Sequence, residues 1–295
     1  MQWLEVFPAM APEQLSALKK YIDQGFRAIT REYGEAIERF FDPLKAFLIA
    51  SERLLTQSPW WAVLVAMALL VLVSTRSLKL VLGTVVTMLL IGYFGMWEDT
   101  MKTVSMIFVC TVVALAVGLP IGILTSRSNG LQRLIIPLLD VMQTMPSFVY
   151  LIPVVMFLGI GKVPGLIAVV IYALPPVIRF TNLGIRLVSA ELMEATEAFG
   201  ASNWQKIWQV QLPLALPTIM GGVNQTIMLS LSMVVVASMI GVQGLGQPVL
   251  KAISNQYFTL GLFNGIAIVG IAIIFDRASQ AYGKRLQRHS EVHHG

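Results

Sequence analysis

Asp140 is the residue whose setting most strongly suggests chemistry, because it is an acid within a long apolar run. A carboxylate in the middle of a bilayer costs about 2.5–3.5 kcal/mol on insertion scales, so such a residue is usually paired or used in transport. Asp140 can therefore be a site that couples an ion or a proton to transport. It can equally be a structural partner for an arginine, or for backbone amides that Pro146 leaves unpaired. The residues alone leave both roles open.

Other polar and helix-breaking residues occur in the same apolar runs. Proline removes a helical hydrogen bond, and polar side chains on kinked membrane helices commonly line a water-filled pathway. Such residues also serve ordinary packing between helices, so each has a second, purely structural interpretation. The candidate pathway residues are Asp140, Gln143, Thr144, Pro146, Pro175, Pro176, Asn224, Gln225 and Ser230.

No constellation typical of an enzyme occurs in the sequence. His289, His293 and His294 lie in the last few residues, where a solvated tail is expected rather than a metal site. Cys110 is the only cysteine and lies in apolar sequence. The Gly-x4-Gly-Lys-Ser/Thr pattern of a phosphate-binding loop is missing. We therefore expect a non-catalytic chain with no metal site and no cofactor of its own, so any ATP must be hydrolysed by another polypeptide.

One long polar segment, residues 191–213, separates two apolar runs in the C-terminal half. Its three glutamates recur every third residue with apolar residues between them, which predicts a short amphipathic helix. Gly200 can then adopt a left-handed turn that is closed to most other residues. Ser202 or Asn203 is placed to cap a second short helix over 204–210. The proline at the end of the segment is expected to stop that helix and to begin the next apolar one.

The composition indicates an integral membrane protein. Hydrophobic residues make up 56% of the chain and charged residues only 13%, against about 25% charged in soluble domains. The net charge of +5 then reflects basic loops rather than nucleic-acid binding. A spanning helix needs about 20 apolar residues, which predicts an all-α polytopic fold with about seven transmembrane helices. The expected spans are 53–76, 79–98, 103–126, 131–161, 164–187, 218–241 and 261–275.

Charge patterning divides the chain and orients it. Lysine and arginine are concentrated on the side of the polar segment and the C-terminus, which the positive-inside rule places in the cytoplasm. Because seven spans put the two termini on opposite sides of the membrane, the N-terminus is then outside. We expect an extracytoplasmic amphipathic segment over 1–58, two accessory transmembrane helices over 59–97, a transmembrane core over 98–276 with a cytoplasmic loop at 189–213, and a basic cytoplasmic tail over 277–295.

The polar segment resembles the EAA loop of permease subunits of bacterial ABC importers. That loop carries Glu-Ala-Ala, a glycine and a hydrophobic-x-Leu-Pro motif at fixed spacing. The family positions are occupied here by Glu194, Ala195, Gly200, Leu212 and Pro213. Thr196 replaces the second alanine and Val210 the usual isoleucine, and both changes are small in volume.

The resemblance implies that this loop docks on a cytoplasmic ATPase. Phe199 would fill an apolar pocket on that partner, and Glu194 and Glu197 would meet its polar rim or cap the amides of the loop. The implied ATPase-coupling residues are Glu194, Ala195, Glu197, Ala198, Phe199, Gly200, Leu212 and Pro213.

Three further segments, 140–146, 148–153 and 173–176 with Arg179, resemble the permeases for glycine betaine, proline betaine and choline. This likeness implies a type I ABC importer permease fold in the bacterial inner membrane. It also implies two permease copies, two ATPases that bind ATP and magnesium, and an external substrate-binding protein. Because no aromatic cluster that could hold a quaternary ammonium is evident in the spans, substrate choice is expected to reside in that binding protein.

Two other functions are compatible with a membrane chain of this kind. An ion-coupled secondary transporter would use Asp140 as its coupling site, but it predicts an internal repeat that the seven uneven spans do not show. It also leaves the EAA-like loop unexplained. An ABC importer permease for another small solute would keep the loop and differ in cargo.

Overall fold

A computed structural model describes residues 9–292, with the side chains of residues 35, 37, 38 and 286–292 left aside. Within this part the chain is helical and contains no strand. Its helices are α1 (Pro12–Gln57), α2 (Trp60–Thr75), α3 (Leu78–Tyr93), α4 (Trp97–Arg127), α5 (Asn129–Thr144), α6 (Leu151–Leu158), α7 (Lys162–Arg186), α8 (Ala190–Ala198), α9 (Asn203–Gln205), α10 (Leu212–Ala237), α11 (Gly246–Asn255) and α12 (Phe258–Val292). The predicted all-α fold is confirmed.

The N-terminal segment forms one long helix, α1, which continues through Pro43. It packs against α4, α6 and α7. Leu48 is buried in that contact, and the Phe47 and Phe108 rings lie 6.4 Å apart. The Lys162 ammonium at the start of α7 lies 2.7 Å from the Glu52 carboxylate. The segment predicted to be amphipathic is therefore helical over Pro12–Gln57, and it packs along one side of the bundle.

The bundle has two distinguishable ends, because α7 and α10 run antiparallel. Gly184, near the end of α7, lies against Ala215 near the start of α10, whereas Gly165 near the start of α7 lies against Val242. We define the loop end as the end at which α4 and α7 finish and α8 begins. The other end carries the turn 241–245 and α11.

Glycines let the core helices approach closely. A Cβ atom added to Gly122 of α4 would lie 2.6 Å from the Thr181 Cβ of α7, and one on Gly118 would lie 2.3 Å from a Val177 methyl group. On the other side of α7, a Cβ on Gly222 of α10 would lie 2.7 Å from the Phe180 Cβ. Small residues at helix contacts are how membrane helices gain packing energy, since lipid is as apolar as leucine. Helix α7 is therefore the central element, held between α4 and α10.

The number of spans differs from the seven expected. Among the residues that the structure describes, four helices are long and apolar enough to cross a membrane: Trp97–Arg127, Lys162–Arg186, Asn203–Ile240 and Phe258–Arg285. Two bent pairs raise the number to six if each pair is one span. Helix α3 has only 16 residues, or about 24 Å, which is shorter than a hydrocarbon core of about 30 Å. Each predicted apolar segment overlaps a helix of the structure, but the spacing between charged residues did not predict how long that helix is.

The segment 131–161, predicted as one span, is sharply bent rather than one continuous helix. Helix α5 ends at Thr144, and the helical segment 147–158 leaves it at an angle of 112°. Met145 is extended, with φ −70° and ψ 135°, because the ring of Pro146 disfavours helical geometry at the residue before it. The Tyr150 hydroxyl donates to the Met142 carbonyl across this bend and so fixes it.

The expected breaks at Pro175-Pro176 and Pro213 do not occur. Helix α7 continues through both buried prolines, and the Thr226 hydroxyl donates to the Ala173 carbonyl, at 3.1 Å, in the turn before them. Pro213 is preceded by a π-helical stretch, Lys206–Gln211, in which the Leu212 N–H donates to the carbonyl five residues earlier. This wider turn relieves the contact between the proline ring and the preceding turn, so one helix runs from Asn203 to Ile240.

Candidate functional site

Three residues, 187–189, separate the end of α7 from α8, which stands apart from the bundle. The Ser189 hydroxyl caps it by accepting from the Leu192 N–H at 3.4 Å. None of its nine residues, Ala190–Ala198, is buried. Most of the surface of this helix is exposed, with only Met193 and Thr196 half-buried, so it is available to a partner. The predicted helix over the glutamate repeat is confirmed.

Gly200 closes α8 with hydrogen bonds of the Schellman type. Its own N–H donates to the Glu197 carbonyl at 2.8 Å, and the Ala201 N–H donates to the Thr196 carbonyl at 3.2 Å. This geometry needs a left-handed residue after the cap, and Gly200 has a φ of +77°. The prediction of a left-handed glycine is confirmed, and the position fixes the angle at which the next helix starts.

Ser202 then begins the following helix with a capping box. Its hydroxyl accepts from the Gln205 N–H at 3.3 Å, and its own N–H donates to the Gln205 side-chain oxygen at 2.8 Å. The Lys206 ammonium lies 2.6 Å from the Glu197 carboxylate and so joins this helix to α8. Ile207 is buried and anchors the segment on the bundle. Of the two predicted caps, the structure uses Ser202, and the two helices form one fixed unit.

Large apolar side chains on this unit point into solvent. Phe199, at the end of α8, is 92% exposed, and Trp204 and Trp208 are 66% and 60% exposed. The two indoles are nearly parallel, with ring centroids 6.4 Å apart. Exposed apolar groups that are rimmed by charges mark interaction surfaces. Among the predicted coupling residues, Glu194, Ala195, Glu197, Ala198, Phe199, Gly200 and Pro213 are exposed and Leu212 is half-buried.

Asp140 forms an ion pair with Arg179, which joins α5 to α7. The Asp140 side chain is 56% exposed and that of Arg179 is 35% exposed, so the pair lies at a surface of the single chain. Gln143 and Thr144 follow on the same exposed stretch, and the Thr144 hydroxyl donates to the Val141 carbonyl at 2.9 Å. The structural partner that the sequence allowed for Asp140 is therefore present.

The polar residues of α10 do not form one group. Asn224 faces α12, where its amide nitrogen donates to the Asp276 carboxylate at 3.2 Å and its oxygen accepts from the Ser279 hydroxyl. Gln225 is exposed, whereas Ser230 is buried and its hydroxyl has no partner among the described residues. Pro175 and Pro176 are buried in α7, while Pro146 is exposed at the bend. Asn224 thus joins α10 to α12, whereas Gln225 lies on the exposed surface of α10.

Two features of the site lay beyond the sequence analysis. The partner of Asp140 is Arg179, 39 positions away, and only the presence of one acid and one base in separate apolar runs hinted at it. The contacts of Arg186 with Asn129 and Thr125 cross more than fifty positions and have no periodic signal. No group of three or more possible metal ligands occurs in the part of the chain that the structure covers. The histidines His293 and His294, and the His289 side chain, lie outside it.

The class of protein follows from comparing this helical bundle and its projecting two-helix loop with known families. The family described as "Binding-protein-dependent transport system inner membrane component" matches residues 116–288. This match includes the exposed loop and the three central helices α7, α10 and α12. The chain belongs to this family and is a non-catalytic membrane component of a transport system.

Comparison with individual relatives narrows the class of permease further than the family match does. The chain is 52% identical over 206 residues to the glycine betaine/carnitine transport permease protein GbuB of Listeria monocytogenes, covering 70% of this chain and 73% of that one. It is 42% identical over 270 residues to the glycine betaine/proline betaine transport system permease protein ProW of Escherichia coli, covering 92% and 76%. It is 48% identical over 208 residues to the glycine betaine transport system permease protein OpuAB of Bacillus subtilis, covering 70% and 73%. The predicted membership of the glycine betaine group of permeases is confirmed.

A solved structure shares the fold. One chain of the MetNI methionine ABC transporter, in an inward-facing conformation, superposes with a TM-score of 0.57 at 21% sequence identity. The match covers 63% of this chain and 93% of that chain. At this identity the likeness concerns the fold alone, and it confirms the predicted type I importer fold.

Proposed function

We propose that the chain is the permease of an ATP-driven importer for glycine betaine and related quaternary ammonium osmolytes. The observation that carries the proposal is the exposed, rigid loop unit from α8 to the π-helical stretch, on a chain similar to three glycine betaine permeases. A permease without an ATP site of its own needs such a surface for an ATPase partner. That partner would bind ATP and magnesium, and this chain would bind no cofactor.

We assign the docking contact to Phe199 and its neighbours. Phe199 is 92% exposed, and an aromatic side chain that becomes buried in a pocket of the partner is a common kind of interface hot spot. Glu194 lies on the exposed surface of α8, where it can meet the polar rim of the ATPase. Glu197 already pairs with Lys206, so its role is to hold the two helices of the loop together. Closure of the ATPases would then move the whole unit as one body.

The polar surface around Asp140 supports a second permease copy. Asp140, Gln143 and Thr144 are exposed on the single chain, although they lie on one helix of a candidate membrane span. Polar groups in contact with lipid are costly, so this surface must face water or protein. A second copy facing it would enclose a water-filled pathway between the two chains. Gln225, which is exposed on α10, would join that lining, whereas the buried Ser230 and the two buried α7 prolines would support it from within.

We further propose that the loop end is cytoplasmic and the opposite end external. The loop end carries most of the basic residues, in keeping with the positive-inside rule. The substrate-binding protein would then deliver its cargo at the end of the bundle that carries α11. Residues 1–58 would lie outside, 59–97 would form accessory helices, 98–276 would form the transporting core, and 277–295 would be a cytoplasmic tail.

The structure gives little support to an ion-coupled transporter that uses Asp140. A coupling carboxylate must exchange its ion during transport, whereas Asp140 is engaged by the Arg179 guanidinium. An ion-coupled transporter would also have no use for the docking loop, by which we mean the exposed unit from α8 to the π-helical stretch.

The test is uptake of labelled glycine betaine into proteoliposomes, with ATP on the loop side and the binding protein on the other. Vesicles that contain both permease and ATPase should accumulate the solute only with ATP, and unlabelled glycine betaine should compete whereas methionine should not. Asp140→Asn should retain uptake within about fivefold, because a partly exposed ion pair contributes about 1 kcal/mol or less. Uptake without ATPase that is driven by an ion gradient and lost in Asp140→Asn would overturn the proposal.

A further inference from the structure

Arg186 is the last residue of α7, and its guanidinium contacts three helices. Its Nε donates to the Asn182 side-chain oxygen of α7 at 3.1 Å. Its Nη1 donates to the side-chain oxygen of Asn129, the first residue of α5, at 2.9 Å. Its Nη2 donates to the Thr125 carbonyl in the last turn of α4 at 3.4 Å. One side chain therefore joins the ends of α4, α5 and α7 at the loop end.

Two of the three acceptors of Arg186 suit a fixed cation. The Thr125 carbonyl is among the last four of α4, which lack helical partners, and a positive charge there is favoured by the helix dipole. Asn182 is 4% exposed, so its amide is held in place by the packing around it. The planar fork of arginine can reach all three acceptors at once, which a lysine ammonium on a flexible stem cannot do with the same geometry.

The position of Arg186 relates this contact to the docking loop. Only residues 187 and 188 separate it from Ser189, the cap of α8, so a displacement of α8 reaches the end of α7 through a very short connection. On the other side, α5 is attached to α7 by this contact and by the Asp140–Arg179 pair, with a small apolar contact around Leu139 between them. Leu139 is the only buried residue of α5.

We infer that Arg186 is a positioning residue that makes α4, α5 and α7 move as one unit when the docking loop moves. This inference rests on the proposed function, since it explains how motion of α8 reaches the α5 surface that carries Asp140. Without Arg186, α8 would still dock and the ATPase would still turn over, but α5 would be held to α7 only by the Asp140–Arg179 pair and the Leu139 contact and would follow α7 less closely. The expected defect is therefore loss of coupling rather than loss of assembly.

The test measures the ratio of solute transported to ATP hydrolysed in proteoliposomes that contain the full complex. Arg186→Gln removes the charge and the fork, and it should lower this ratio by ~3- to 30-fold with the ATPase still co-purifying. Arg186→Lys should retain part of the ratio, and Asn129→Ala should lower it by a smaller factor. Arg133→Gln is the matched control, because Arg133 is an exposed α5 residue whose Nε contacts only the Asn129 carbonyl of its own helix, at 3.4 Å.

The outcomes separate this inference from the proposed function. If wild-type vesicles do not need ATP, the proposed function fails. If wild-type uptake needs ATP and Arg186→Gln keeps the wild-type ratio, the inference about Arg186 fails alone. It also fails if Arg133→Gln lowers the ratio equally, or if Arg186→Gln loses the ATPase. If Arg186→Gln does not fold, the inference is tested instead by the ratio of solute transported to ATP hydrolysed in the Arg186→Lys and Asn129→Ala variants.

Discussion

A Gly200→Pro variant is expected to reach the membrane at the wild-type level and to lose uptake by at least ~10-fold. Proline fixes φ near −65°, whereas Gly200 has a φ of +77°. Proline also lacks the N–H that donates to the Glu197 carbonyl at 2.8 Å. The α8 helix would then leave the loop at another angle, and Phe199 would point away from its partner. Each 1.4 kcal/mol lost at that contact is a tenfold weaker association.

The control for this prediction is Gly200→Asn. Asparagine adopts the left-handed region more readily than other non-glycine residues, and a Cβ at this position meets nothing within 4 Å. The asparagine variant should therefore keep most of the uptake, which is measured in the same vesicles. Equal uptake by the proline variant and the wild type would show that the angle of the loop does not matter.

Gly122→Leu should destabilise the bundle itself. The first side-chain atom would lie 2.6 Å from the Thr181 Cβ and 3.0 Å from the Ile178 carbonyl oxygen, so α4 and α7 would have to separate. Overpacking of this kind costs about 1–3 kcal/mol, and the loss of the close helix contact adds to it. We expect a lower melting temperature in detergent and a smaller folded fraction on size-exclusion chromatography.

Gly83→Leu is the matched control for Gly122→Leu. Gly83 lies in α3, and a Cβ added there meets nothing within 4 Å. Its melting temperature should stay close to that of the wild type, because substitutions away from packed contacts usually change stability by about 0.5 kcal/mol or less. If both variants melted alike, close packing of α4 on α7 would not be what stabilises the core.

The docking loop was the most predictable part of the chain, because its signals are local. Each signal concerns residues within about five positions of one another. The glutamate spacing predicts α8, Gly200 predicts its left-handed end and Ser202 predicts the cap of the next helix. The structure contains all three. Local signals of this kind do not depend on what the rest of the bundle does. The same holds for α11: the glycine-rich stretch 241–248 predicts a turn that leads into a short helix around 249–253, and the helix extends over Gly246–Asn255.

Proline was the least reliable signal. Pro146 ends α5, whereas Pro175, Pro176 and Pro213 lie within continuous helices. The difference is tertiary: the Thr226 hydroxyl from α10 supports the turn before the α7 prolines, and a π-helical stretch accommodates Pro213. Neither compensation is visible in the residues next to the proline. The same limit applies to Arg179 and Arg186, whose partners belong to other helices.

The measurement that tests the account most directly is a pull-down of the tagged chain from detergent, with mass spectrometry of whatever accompanies it. The wild-type permease should carry an ABC ATPase, and Phe199→Asp should reduce that ATPase by at least ~10-fold, since removing a hot-spot side chain costs about 2 kcal/mol or more. Phe40→Asp, which alters a ring 77% exposed on α1, should leave it unchanged. An ATPase retained equally by the wild type and Phe199→Asp would contradict the docking role, and a chain that purifies alone and still transports without ATP would contradict the whole account.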